Sequence, residues 1–424
     1  MLIPRPLLPI FVAVLVTLPG LFVAIAHLPL AAPATALLAG LAILAASFLL
    51  LWACDTAQSD ISQGLALAVV ALVAVLPEYA VDMYFTWQAG KFPDSEYAHY
   101  AIANMTGANR LLIGVAWALI AVIYWFKCRR PVRLESDRRL EVGFLGAATL
   151  YALFIPIKGS LEWYDGLVFA AIYVAYILLA SRRGVEEAEV EGPAAYLVAL
   201  PTVKRRVVTA LLFLFSAGIV LANSERFCEG LIGSGKLLGI SEFLLVQWLA
   251  PIASEAPEFV VATMFALRGN AGLALGSLLS AKLNQWTLLV GMIPGVFALS
   301  SGSITPPMPL STFQMHEVML TAAQSLLAVA MLSTLRLTIG QAVLLFTLFI
   351  GQLVAPGLVQ AAGGTSFLGL QPDQMHPLFT LLYLVATLVL FLDQPQRLRS
   401  VVAWLSPRAL VPVPVRHTDE NERG

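Results

Sequence analysis

The chain has 424 residues, of which 59% are hydrophobic and only 12% charged, with a formal net charge of −1. A soluble domain spends roughly 25% of its residues on charge, so this composition, with a mean hydropathy of +0.83, excludes an ordinary soluble domain. Lys and Arg are scattered through short loops rather than gathered on one face, which excludes nucleic acid as a partner.

Apolar runs of membrane-spanning length follow one another along the chain. They predict helices near 7–28, 34–54, 62–89, 97–126, 142–157 and 166–181, then near 205–225, 240–266, 271–299, 316–336, 339–359 and 377–394. The first run lacks a small-residue cleavage site and reads as a retained span. Cys54, Cys128 and Cys228 are far apart and form no CxxC, so they read as apolar fillers. Backbone polar groups cannot go unpaired in lipid, and the alternation of a barrel is absent, so the runs must be helices. The expected fold is all-α: a polytopic membrane helix bundle of about 12 spans.

Charge in the loops orients it. Lys127, Arg129, Arg130, Arg133, Arg138 and Arg139 fall in one loop, and Arg182, Arg183, Lys204, Arg205 and Arg206 in another. Arg5, Arg268, Arg336 and the tail arginines fall on the same side, whereas 158–165 and 300–315 carry almost no positive charge. Both termini are therefore expected in the cytoplasm, the location being a cell membrane, with the prokaryotic inner membrane fitting best. The expected organisation is a first membrane half (1–181), a cytoplasmic linker (182–206) with Glu186, Glu187, Glu189 and Glu191, a second half (207–394) and a cytoplasmic tail (395–424).

The two halves repeat. Leu76-Pro77-Glu78-Tyr79-Ala80-Val81 lies inside one apolar helix and Ala256-Pro257-Glu258-Phe259-Val260-Val261 inside another, each followed by a helix rich in small and polar residues. The repeats span about 62–126 and 240–299, and the charge pattern gives them opposite directions. Inverted repeats with interrupted helices are a signature of secondary transporters. Glu78 and Glu258 both fall near the bilayer midplane, where a carboxylate is costly unless it faces a cavity or a partner. Asp82, four residues after Glu78, and Glu255, three before Glu258, share their helix faces. Such an acid cluster binds a metal cation or protons. Proline frees the carbonyl four residues earlier, here Val73 and Ala253, and carbonyl, carboxylate and amide oxygens suit Ca²⁺ and Na⁺. Asn104, Thr106, Asn109, Ser254, Ser277, Ser280, Asn284 and Gln285 are further candidate oxygen ligands.

These residues resemble the two alpha-repeats of the calcium/cation antiporter superfamily, which includes sodium/calcium and cation/proton exchangers. Pro251-Ile252-Ala253-Ser254-Glu255-Ala256-Pro257-Glu258 carries the strongest match, with Leu76-Pro77-Glu78 and Asn104-Met105-Thr106-Gly107-Ala108-Asn109 in the first repeat. The resemblance covers about 34–359, a ten-helix core with one extra span at each end. It implies that Glu78 and Glu258 are the central cation-binding glutamates and Ser254 a hydroxyl ligand. The chain departs from the pattern where Ala108 and Ala281 replace serines, Lys282 replaces an asparagine, and Leu112 and Gln285 replace Asn or Asp ligands. The ammonium of Lys282 is expected to stand in for a bound ion beside Glu255 or Glu258, which favours proton coupling; Arg110 either plays a similar part or snorkels to the outer interface.

The expectation is an alternating-access antiporter exchanging Ca²⁺ or Na⁺ against H⁺ or Na⁺, with those ions as substrates and no cofactor. Its expected site comprises Glu78, Glu258, Glu255, Asp82, Ser254, Asn109, Asn104 and Ser277, with Lys282 compensating charge. A transporter-derived scaffold or sensor that has lost exchange is the alternative. Enzyme chemistry is not expected: His316-Glu317 has Leu320 where a zinc motif needs histidine.

Overall fold

The computed structural model describes residues 5–60, 75–181, 192–304, 306–361, 363–364 and 369–404. Ten of its helices are long and apolar enough to cross a membrane. In chain order, with two charged helices added, they are α1 (Leu8–Ala26), α2 (Ala32–Ala57), α3 (Leu76–Lys91), α4 (Tyr97–Cys128), α5 (Ser136–Lys158), α6 (Trp163–Ala180), α7 (Thr202–Leu238), α8 (Ala250–Arg268), α9 (Ala271–Ser301), α10 (Thr312–Leu332), α11 (Ile339–Ala361) and α12 (Pro372–Asp393). The chain is a multi-pass membrane protein, and the helix order is the one read from the sequence.

The two helices that miss the apolar criterion, α3 and α8, carry the Pro-Glu motifs. Residues 61–74, including Val73 and the start of the expected helix 62–89, lie outside the described residues. In the described part Pro77 occupies the first turn of α3, where its missing N–H costs nothing, whereas Pro257 is interior to α8. A π-helical turn, Leu245–Leu249, leads into α8.

One element differs clearly from expectation. The helix expected near 205–225 runs without interruption from Thr202 to Leu238. The side chains of Asn223 and Ser224, near the expected end, bond back to the carbonyls of Ile219 and Val220, and the helix continues past them. It stops only at Gly239, which adopts φ 67°. The expected linker is accordingly shorter: a helix occupies Gly192–Val198, while 182–191, with the acidic run, lies outside the described residues. Residues 405–424 of the tail do too; Gln396–Trp404 is helical, and Arg397 donates to the carbonyls of Ala330 and Met331 at the end of α10.

Phe85, Ile102, Trp117, Leu275, Trp286 and Leu320 belong to one central buried cluster. Around it α3 packs against the second half of α9, α8 against α2 and α9, and α10 against α4, α5 and α12. Two short pairings, Val132–Arg133 with Arg336–Leu337 and Ser160–Leu161 with Met308–Pro309, tie loops of the first half to loops of the second. Leu214, Leu299 and Leu392 are among the large apolar side chains left exposed on the outer faces, as lipid contact requires. Burial separates centre from rim: α10 is 78% buried over its most apolar stretch, and α6 only 22%.

Candidate cation site

The polar residues of α3, α4, α8 and α9 converge in the middle of this bundle. Glu78 (2% exposed), Asp82 (0%), Glu255 (3%) and Lys282 (0%) are all buried. Gln285 joins two of the acids: its side-chain nitrogen donates to Glu78 Oε2 and to Glu255 Oε1, each at 2.9 Å. The partner nearest to Glu78 in hydrogen-bonding terms is thus Glu255, and Glu258 stands one turn along. A cavity of about 10 Å³, room for roughly one water-sized sphere, is lined by Val75, Glu78, Leu112, Ser254, Glu255, Glu258, Ala281 and Gln285.

Four oxygens around it are left over. Glu78 Oε1, Glu255 Oε2, Glu258 Oε2 and Gln285 Oε1 are buried and have no hydrogen-bond partner. Buried polar atoms are nearly always paired, so such a group of acceptors without donors calls for an explanation. A proton, a cation or a donating water satisfies an excess of acceptors. Asp55 near the end of α2 adds a further acid within electrostatic reach of Glu258, and the sequence reading did not single it out. No three acidic, histidine or cysteine side chains among the described residues close on one point as a ready-made metal cluster.

The other expected residues separate into three groups. Ser254 lines the cavity, with its hydroxyl bonded back to the carbonyls of Ala250 and Pro251. Asp82 and Asn104 pair with each other, Asn104 Nδ2 donating to Asp82 Oδ1 at 2.7 Å; neither lines the cavity. Ser277, expected in the site, is exposed instead. On α9 the inward stripe is Ala274, Leu275, Leu278 and Lys282, and position 277 falls on the opposite face of a 3.6-residue helix.

Lys282 does not pair with Glu255 or Glu258, as the sequence reading expected. Its ammonium donates to Asn109 Oδ1 at 2.6 Å and to the Asn109 carbonyl at 3.3 Å, and lies 4.4 Å from the centre of the Trp286 ring. Its charge still reaches Glu255 and Glu78 through space. Asn109 and Lys282 occupy matching places in the two repeats, as do Leu112 and Gln285. Matching π-helical turns begin at those last two residues, Leu112–Trp117 in α4 and Gln285–Leu289 in α9. Such turns break the regular ladder and are frequent at functional sites.

Arg110 does not snorkel. It is 1% exposed and ion-paired to Glu317 of α10, which is wholly buried. Glu317 Oε2 also accepts from Gln247 Nε2 at 2.6 Å and from Thr106 Oγ1 at 3.2 Å. The sequence reading tested Glu317 only against a zinc motif. An arginine in a spanning helix was the signal for a buried acid partner.

The sodium/calcium exchanger protein family matches residues 31–182 and 208–357, most of the chain. The chain belongs to that family. Its two matched segments are the inverted repeats with broken helices, and it is a secondary transporter rather than an enzyme. The crystal structure of a protein described as the H⁺/Ca²⁺ exchanger CAX is 41% identical, covering 95% of this chain and 97% of that one at a TM-score of 0.86. CaxA of Alkalimonas amylolytica is 24% identical over 277 residues, which is 61% of this chain and 82% of CaxA. The structure of YfkE, 15% identical and covering 81% of this chain and 97% of its own at a TM-score of 0.58, shows the shared fold. The family match spans α2 to α11, so α1 and α12 lie outside it.

Proposed function

We propose that this cation antiporter exchanges Ca²⁺ for protons at Glu78, Glu255 and Glu258. The observation that carries this reading is the group of four unpartnered oxygens around one small cavity. Ca²⁺ takes 6–8 oxygen ligands in flexible geometry. Three carboxylates, the Gln285 amide and residual water supply that chemistry, and a modest inward movement would close them on one ion. The same carboxylates accept protons when the cation leaves. A pocket of this size favours one occupant at a time, so loading by Ca²⁺ and by H⁺ exclude each other, and that exclusion is the basis of exchange.

Lys282 argues against Na⁺ as the counter-ion. Its side-chain nitrogen occupies Asn109 Oδ1, one of the side-chain oxygens that would otherwise be offered to a monovalent ion. The resemblance between this chain and the exchanger named for H⁺ and Ca²⁺ points the same way. Asp82 and Asn104 hold α3 and α4 together beside the site, and Lys282 sets its net charge. We further place the protein in a cell membrane with both termini in the cytoplasm, on the distribution of Lys and Arg among its loops.

The test is ⁴⁵Ca²⁺ uptake into proteoliposomes driven by an imposed pH gradient. Uptake that follows the gradient and disappears in Glu78→Gln is expected. Uptake driven only by a Na⁺ gradient would contradict the proton reading, and no cation flux under either gradient would favour the scaffold alternative.

A further inference from the structure

A second ionisable group lies apart from the central carboxylates. Glu317 Oε2 is saturated by Arg110, Gln247 and Thr106, but its other oxygen, Oε1, is buried without a hydrogen-bond partner. Facing it at 3.1 Å is Nδ1 of His376, itself buried and unpartnered because the two atoms are not aligned for a hydrogen bond. Protonated, the His376 imidazole would form an ion pair with the Glu317 carboxylate at this separation. The His376 side chain is 12% exposed whereas that of Glu317 is not exposed at all, so the imidazole is the cluster's way out to solvent.

The surroundings are specific. Glu317 lies in the second turn of α10 and His376 at the start of α12, two helices that pack together and begin at the same end of the bundle. The charged or titratable groups facing the pair are Arg110 from α4, His316 from α10 itself and Tyr383 from α12. The turn before α8 contributes Gln247 and Trp248, whose ring lies 5.3 Å from the Arg110 guanidinium. Phe313 packs on the His376 ring with centroids 5.3 Å apart. Glu317 and Arg110 cancel each other, so a proton on His376 adds the cluster's single net charge. Arg110 is the chain neighbour of Asn109, which holds Lys282. Ion pairs thus join Glu317 to His376 and to Arg110, and the next residue back along α4, Asn109, accepts from Lys282, whose charge reaches Glu255 and Glu78 through space.

We propose that Glu317 and His376 form a proton-binding site of their own, brought into the exchanger core by α12 and coupled to the central site through Arg110, Asn109 and Lys282. The proton is held on His376 Nδ1, 3.1 Å from the Glu317 carboxylate, and enters from the end of the bundle where α10 and α12 begin. A proton there turns the neutral cluster of Arg110, Glu317 and His376 into a cation, and the central site senses it electrostatically. The coupling to ion exchange rests on the function proposed above; the proton site itself does not.

The test is therefore in two parts. Proton uptake by the unbuffered, purified full chain between pH 8 and pH 5 is measured for wild type, His376→Asn, Glu317→Gln and the double variant. Each single variant is expected to bind one proton per chain fewer than wild type, and the double variant no fewer still. If Glu317→Gln takes up the full number of protons, His376 titrates as an isolated imidazole and the proposal is overturned. In the second part, His376→Asn and His376→Lys fix the two charge states, and the pH of half-maximal Ca²⁺ uptake should move in opposite directions in the two. A merely structural histidine would move it in one direction or not at all, which would overturn the coupling. This pair decides the matter if Glu317→Gln does not fold. The proton count needs no transport, so its failure is distinguishable from a failure of Ca²⁺/H⁺ exchange.

Discussion

Glu255 is the residue whose role changes most between sequence and structure. The repeated motif pairs Glu78 with Glu258, but the Gln285 amide ties Glu78 to Glu255. Glu255→Gln removes a charge from the cavity wall and leaves an amide of the same shape, so Ca²⁺ uptake should fall by about two orders of magnitude, matching a lost charged ligand worth roughly 3 kcal/mol. Uptake within a few-fold of wild type would show that Glu255 is not a ligand. Lys282→Asn supplies oxygen where the ammonium now sits on Asn109. Transport should become sensitive to external Na⁺, to which the wild type is expected to be indifferent; Na⁺ competition in a ⁴⁵Ca²⁺ assay reads this directly. Outside the spans, Asp60 is gripped by Arg205 and Arg206, which pull its carboxyl down to about 2. This value lies below the roughly 3.9 of an unfolded chain, so the stabilisation is complete above that value and lost as pH falls through about 2. Asp60→Asn should thus lower the melting temperature slightly at pH 7, and the gap should close only in strong acid. Most of this contact is near the surface, which keeps the effect small.

At the scale of elements, the site depends on how closely α4 approaches the turn before α8. A Cβ on Gly107 would lie 1.9 Å from the carbonyl oxygen of Gln247, and one on Gly114 2.4 Å from Phe349. Gly107→Ala should push these backbones apart, disturb the Gln247–Glu317 bond and cost about 1–3 kcal/mol. Gly295→Ala, with nothing within 4 Å of the added atom, should be neutral in the same thermal-melt comparison. The helices themselves were legible because each is a long apolar run, and the acids were legible because charge in such a run is costly. Polar residues inside a helix were harder to read. The helix expected near 205–225 continues to Leu238 because Asn223 and Ser224 donate to carbonyls of their own helix. Ser277 looked like a ligand because its neighbours match a motif, while the helical period turns it outward. The Glu317 cluster was illegible since its members, Thr106, Arg110, Gln247, Glu317 and His376, come from four separate stretches of chain.

In the whole molecule the two repeats meet where their matching residues touch. Lys282 of the second bonds Asn109 of the first, and the cavity between them is unequal: Leu112 and Val75 give it an apolar wall, Gln285 and Glu255 a polar one. One half thus offers fewer oxygens to the cavity than the other, and alternating access would swing an asymmetric site between its two openings. Because the cross-repeat bond needs one lysine and one asparagine but not a particular order, exchanging Asn109 and Lys282 should restore more Ca²⁺ uptake than either single substitution leaves. The central claim is that one carboxylate cavity binds either Ca²⁺ or protons. Its most direct test is the number of protons released when Ca²⁺ is added to purified protein in weak buffer. Proton release that saturates with Ca²⁺ and is lost in Glu78→Gln and Glu255→Gln is predicted; Ca²⁺ binding with no proton release would contradict the account.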